Sequence, residues 1–236
     1  MIGTGTLVNC AAIVLGGLIG MGGGKLLPDT VRSGLMTACA VCVLFIGIEG
    51  AVSACLVQTD GAFGTRGALM TVGSFAIGTA AGEFIGIEKW LERFGAFLKR
   101  KFGSEDDEGF VGAFVTASLT VCIGAMAIVG SINDGIAGDP TVLFVKASLD
   151  FLIILIMASG KGAGCLFAAI PVAVLQFSVT FLAHGISPYL SETMLGNLSL
   201  TGSMLIFCVG LNLLWDMRIR VANMLPVLIV AMFWPA

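Results

Sequence analysis

Lys146 and Asp150 lie one helical turn apart in residues 142–158, a stretch that is otherwise almost wholly apolar. At spacing i, i+4 an ammonium and a carboxylate share one face of a helix and can meet. Ionisable side chains in so apolar a setting are costly and mark ion, proton or solute pathways. A carboxylate there can pair with Lys146, face a water-filled cavity, or carry a proton of its own. Each state suits cation or proton coupling, with Asp150 as the expected ligand and Lys146 as its exchangeable partner. The competing reading is a pair that only fixes helix register, since desolvation offsets the Coulomb gain.

Other polar side chains interrupt apolar runs: Asn9, Glu49, Glu83, Gln176 and Asn212, with Asn133 and Asp134 closing a further run. Glu49 stands between Gly47 and Gly50, which leave room for a ligand beside the backbone; solvation at a helix end is the competing reading. Asn9, Glu49, Asn133, Asp134 and Gln176 are expected to join Lys146 and Asp150 along the pathway. Residues 130–140, rich in Gly, Asn and Asp, either offer oxygen ligands at an entrance or form an ordinary tight loop. Glu83, near a helix end, is expected to be surface-solvated.

Enzyme chemistry lacks its parts. His184 is the one histidine, and no His-Glu-x-x-His run or nucleotide-binding loop occurs. Cys39-Ala-Val-Cys42 has redox or metal-ligand spacing but no second Cys or His cluster nearby, so the seven cysteines are expected to pack as small hydrophobes. Neither a metal site nor a cofactor is expected, and a net charge of −3 gives no sign of a nucleic-acid partner.

The elements that must position these residues are membrane helices. Hydrophobic residues make up 57% and charged residues 11% of the 236, against about 45–50% and about 25% in ordinary soluble chains. Mean hydropathy is +1.03. Eight spans are predicted, at 5–22, 35–56, 68–87, 111–132, 141–159, 164–183, 198–215 and 221–234, the last short and interrupted by Pro226. Seven spans are the alternative, with the last segment dipping in and returning. The start lacks a basic region and reads as a first span rather than a cleaved leader. The expected fold class is an all-α polytopic membrane protein forming one transmembrane domain, residues 1–236.

Basic residues set the orientation. With the N-terminus outside, Lys25, Arg32, Lys89, Arg93, Lys99, Arg100, Lys101, Lys161, Arg218 and Arg220 face the cytoplasm, and Arg66 alone faces out. Residues 88–109 break the apolar pattern. Their first part is a basic amphipathic helix with Trp90, Phe94 and Phe97 as apolar anchors, suited to anionic lipid headgroups; the acidic run Glu105, Asp106, Asp107, Glu108 follows as a solvated loop.

Internal similarity points to an inverted repeat. Setting residues 22–47 against 185–210 aligns Gly22 with Gly185, Leu35 with Leu198 and Gly47 with Gly210. Chance matching in apolar sequence is the competing explanation. Such repeats build many secondary transporters, with the site near the midplane.

The block Gly124-Ala-Met-Ala-Ile-Val-Gly-Ser-Ile-Asn-Asp-Gly135, followed by Lys146-Ala-Ser-Leu-Asp150, resembles the bacterial family known as domain of unknown function 554, the YqgA/YdfK-like membrane proteins. Gly5-Thr-Leu-Val-Asn9 and Phe45-Ile-Gly-Ile-Glu49 are similar to it as well. The resemblance covers essentially the whole chain. It implies a bacterial inner-membrane protein of candidate transporter type and supplies neither a substrate nor site residues.

The expected function is therefore transport of a small solute or ion, with membrane lipids and that solute as partners and a homo-oligomer in view. The alternatives are an ion channel and a non-transporting structural or sensory membrane protein.

Overall fold

Within a hydrocarbon layer every backbone N–H and C=O must find its partner inside the segment, so apolar chain of this kind folds as helices. The computed structural model describes residues 2–24, 28–59, 62–101, 108–122, 125–186, 191–215, 217 and 219–234. The long helices are α1 (Thr4–Gly24), α2 (Asp29–Cys55), α3 (Ala68–Ile85), α7 (Thr141–Lys161), α8 (Ala169–Ile186) and α9 (Glu192–Trp215). Between them lie α4 (Ile87–Lys101), α5 (Phe110–Cys122) and α6 (Ala125–Ala137), and α10 (Pro226–Met232) ends the chain. Large apolar side chains cover the outside, Phe84 being 94% exposed and Leu69 78%. That surface suits lipid, and the chain is a helical membrane protein. Lys25, Arg218, residues 105–107 and the side chains of Arg32 and His184 lie outside the described residues.

Glycine sets the packing, because helices in lipid associate through close contact rather than hydrophobic expulsion. A β-carbon on Gly16 would sit 2.6 Å from the Phe151 carbonyl oxygen, and Gly5 and Gly20 face Leu143 and Leu155, so α1 and α7 run parallel. Gly47 faces Phe207 and Gly210 faces Leu44, which makes α2 and α9 antiparallel. Gly78 and Gly82 abut Val227 and Asn223, again antiparallel, at α3 and the chain end. These relative directions agree with a chain that alternates across the layer.

Three features depart from the sequence reading. The fourth predicted span is not one helix: α5 and α6 meet at a 60° bend. Among the described residues six helices are long and apolar enough to cross a membrane, and the bent pair can supply a seventh. The last segment is a 3₁₀ turn (Val221–Met224) followed by the seven-residue α10. At about 1.5 Å per residue, α10 is far shorter than a bilayer core of about 30 Å. Pro226, which lacks an N–H, opens it at the first turn, where that donor is not needed. Finally, a two-stranded hairpin, β1 (Leu56–Thr59) and β2 (Ala62–Thr65), joins α2 to α3 with Leu56 opposite Thr65. The Arg66 Nε–H donates to the Ala54 carbonyl at 3.2 Å and ties the hairpin to α2.

The amphipathic segment forms α4 as expected. Its Leu98 is buried beside Phe110 and Phe114, and Phe94 stands 5.9 Å from the Phe114 ring. Trp90 and Phe97 point outward instead. The hairpin and α4 lie at opposite ends of α3, and so mark the two ends of the bundle.

Gly47→Leu should force apart the α2/α9 contact, with an expected loss of about 1–3 kcal/mol. No atom lies within 4 Å of a β-carbon added at Gly22, so Gly22→Ala should be neutral or stabilise by up to about 1 kcal/mol. Thermal unfolding in detergent checks both, and equal losses would contradict this packing.

Candidate functional site

The i, i+4 geometry of α7 brings Lys146 and Asp150 together as the spacing requires. Lys146 Nζ lies 2.6 Å from Asp150 Oδ2, and both residues are buried. The ammonium also donates to the Val121 carbonyl at 2.7 Å. Val121 is next to the last residue of α5, where carbonyls lose their intrahelical donors. Lys146 thus neutralises a carboxylate and satisfies an acceptor released by the α5/α6 break.

A cavity of about 270 Å³ opens beside the pair, lined by Lys146, Asp150, Thr120, Ser199, Ser203 and, on α2, Glu49. At about 30 Å³ per water it has room for several waters or a small solute. Glu49 itself is exposed on the flank of α2 and lies toward the hairpin end. The structure therefore brings Glu49, Lys146 and Asp150 to one chamber.

Asn9, Asp134 and Gln176 form a different group. All three are buried where α1, α6 and α8 meet. The Gly5 N–H donates to Asp134 Oδ2 at 3.1 Å. Among the described residues, Asp134 Oδ1 and both side-chain polar atoms of Gln176 have no hydrogen-bond partner. Asn9 also neighbours Asp150, so the two groups adjoin. Sequence reading passed over Thr6 and Thr180, which are equally buried and equally unpartnered. Their signal was spacing: Thr6 stands three residues before Asn9, and Thr180 four after Gln176, on the same helix faces.

Asn133 does not join either group. It is half-buried, and its carbonyl accepts the Asp139 N–H at 3.3 Å. Asp139 Oδ1 accepts both the Thr141 hydroxyl, at 2.6 Å, and the Thr141 N–H, at 3.0 Å. Those bonds hold the Asp139 carboxyl below its ordinary value and cap the start of α7. The glycine-rich turn is occupied with its own backbone. Cys39 is buried while Cys42, three residues on, is exposed.

A second cavity, of about 420 Å³, lies toward the α4 end between Glu88, Glu92, Thr116, Lys161, Asn212 and Arg220. Arg220 pairs with Glu83 at 3.0 Å, so Glu83 is bridged rather than merely solvated. Asn212 exchanges two hydrogen bonds with Ile219, and the Glu88 N–H donates to Asn223 at 2.8 Å. Thr116 lines this cavity and Thr120 the other, one turn apart on α5. Leu119 and Val209 line the α4-end cavity and pack with Leu205.

Burial first, and then the charges of Glu92 and Glu83, push the Glu88 carboxyl above its ordinary 4.5, against the opposing pull of Arg220. A raised folded-state value means its contribution to stability is complete below 4.5 and fades as pH rises through the raised value. Glu88→Gln should therefore flatten that loss in melts recorded across pH; an unchanged slope would contradict it.

The chain matches the family model described as "Protein of unknown function (DUF554)" over residues 4–236. It is 27% identical to "Uncharacterized protein YqgA" of Escherichia coli (strain K12) over 232 residues, covering 97% of this chain and 94% of the relative. It is 26% identical to "Uncharacterized membrane protein YdfK" of Bacillus subtilis (strain 168) over 226 residues, covering 96% and 93%. No solved structure matches.

Proposed function

The chain belongs to the DUF554 family, and from that premise we propose that it carries a small solute or ion across the bacterial inner membrane, along a route that passes Lys146 and Asp150. The observation that carries this reading is a pair of cavities along α5 and α9, each with charged side chains in a largely apolar lining, with Leu119 and Val209 of the α4-end cavity packed against Leu205. The upper chamber holds Glu49, Lys146 and Asp150; the lower holds Glu88, Glu92, Lys161 and Arg220. Leu119 and Val209 form the closed gate.

The N-terminus is outside in this reading, supported by the basic residues that collect at the α4 end. An inverted duplication is supported by the α2/α9 crossing. The register that pairs Gly47 with Gly210 also pairs Leu44 with Phe207, and the observed contacts are Gly47 with Phe207 and Leu44 with Gly210. A two-fold operation would exchange those contacts. Glu49, exposed on its flank, favours an assembly in which a second copy covers α2.

The closed Lys146/Asp150 pair carries no net charge of its own. A cation or proton arriving at Asp150 displaces Lys146, which keeps its bond to the Val121 carbonyl while the α5/α6 bend adjusts. Lys146→Met alone leaves Asp150 unpaired and should cost about 3–5 kcal/mol. The double change Lys146→Met with Asp150→Asn removes both charges and should restore folded yield. The test is flux into proteoliposomes of the full chain, for protons, alkali cations, chloride and small amines. Wild type should show saturable uptake of at least one, and the folded double variant should fall to background. Uptake that survives in the double variant would make the pair structural.

A further inference from the structure

Hydroxyls buried in apolar helices ordinarily bond back to their own helix, at the carbonyl a turn earlier. Among the described residues five buried hydroxyls follow that rule, Ser74 to Met70, Thr120 to Thr116, Ser131 to Ala127, Ser159 to Ile156 and Thr201 to Asn197, while Ser118, elsewhere in the bundle, has no partner. Thr6 and Thr180 do not follow it either, although both are at most 2% exposed. They lie where α1, α6 and α8 converge. Gly5 on α1 bonds Asp134 on α6, Gly135 on α6 abuts the Thr180 carbonyl on α8, and Gly3 beside α1 lies against the Phe177 ring on α8.

Among the described residues, four oxygens of that junction are buried without a partner: Thr6 Oγ1, Asp134 Oδ1, Gln176 Oε1 and Thr180 Oγ1. Buried polar atoms in folded proteins are nearly always satisfied, by protein, water or an ion. Asp134 sharpens the point. Buried carboxylates are paired or hold a cation, yet among the described residues its bond is to the neutral Gly5 amide and no cationic side chain pairs with it. Lys146 is committed to Asp150 and the Val121 carbonyl.

We propose that this junction is a binding site for a dehydrated sodium ion. Asp134 supplies the charge, and Thr6, Gln176 and Thr180 supply neutral oxygens. The donor set selects the ligand. Oxygen donors alone suit hard cations and disfavour transition metals. One carboxylate balances one positive charge, whereas calcium sites commonly use several carboxylates. The N-terminal end of α1, whose Gly5 N–H donates to Asp134 Oδ2, adds positive partial charge beside the site. Asn9 adjoins both this site and Asp150, so occupancy biases the neighbouring ion pair and makes sodium the coupling ion. That role rests on the transport reading; the binding site stands without it.

The test needs no transport. The full chain in detergent is melted in sodium chloride and in choline chloride at equal ionic strength and fixed pH, and sodium uptake is measured directly by equilibrium dialysis with radioactive sodium. Sodium should raise Tm saturably. Thr180→Val and Gln176→Leu, which keep the charge and the fold, should each weaken apparent sodium affinity roughly tenfold. Asp134→Asn should abolish the response, while Asp150→Asn keeps it. The site is overturned by a wild type without sodium-specific stabilisation, by a response that follows pH and ignores sodium, or by unchanged affinity in both Thr180→Val and Gln176→Leu. Sodium binding intact in a protein without flux would overturn the transport reading alone. Flux without sodium binding would overturn this site alone.

Discussion

The Lys146 ammonium joins two helices, α7 and α5. It pairs with Asp150 on α7 and donates to the Val121 carbonyl at the end of α5, just before the chain turns by 60° into α6. A break in a helix at membrane depth leaves carbonyls that lipid cannot satisfy, so a break persists only where protein or water takes them. Lys146 does that here, and Asp150 balances the charge it brings. Remove the ammonium and both the carboxylate and the broken helix end lose a partner together. As a net contribution to stability such a pair is weak. Its value is positional, because it fixes where α5 ends against α7 and so where the chamber opens.

Glycine contacts frame that arrangement from outside. α1 lies against α7 through Gly16 and Gly20, and α2 against α9 through Gly47 and Gly210. These helices meet backbone to backbone, leaving little freedom for α7 to shift along α1. The polar residues occupy the places where three or more helices converge and close contact is geometrically impossible. The chamber beside Asp150 is one such place, and the junction of α1, α6 and α8 is another. Other buried hydroxyls, such as Ser74 and Thr201, bond to their own backbone.

Much of this was legible in the chain. The i, i+4 spacing of Lys146 and Asp150 specified their contact, glycine beside Glu49 marked the edge of a chamber, and basic amphipathic periodicity located α4. The α5/α6 break was not legible, because residues 111–132 are uninterrupted apolar sequence without proline, and it is tertiary contact with Lys146 that satisfies the exposed end. The hairpin of four-residue strands is too short to leave an alternating pattern. Thr6 and Thr180 carried no signal beyond their spacing to Asn9 and Gln176, because threonine in an apolar helix is ordinarily self-satisfied. Asn133 and Asp134, adjacent in sequence, point in directions about 100° apart on a helix with 3.6 residues per turn, so one is buried in the junction and the other belongs to the turn.

The central claim is that the two cavities are opposite mouths of one route, closed between Leu119 and Val209. Side-specific thiol labelling tests it most directly. In a background with the native cysteines replaced, Ser203→Cys and Thr116→Cys are placed one in each cavity and exposed to a membrane-impermeant thiol reagent from either face of sealed vesicles. The expected result is that Ser203→Cys reacts from the hairpin side only and Thr116→Cys from the α4 side only. Labelling of both from the same side, or of neither from any side, would contradict a route through this protein.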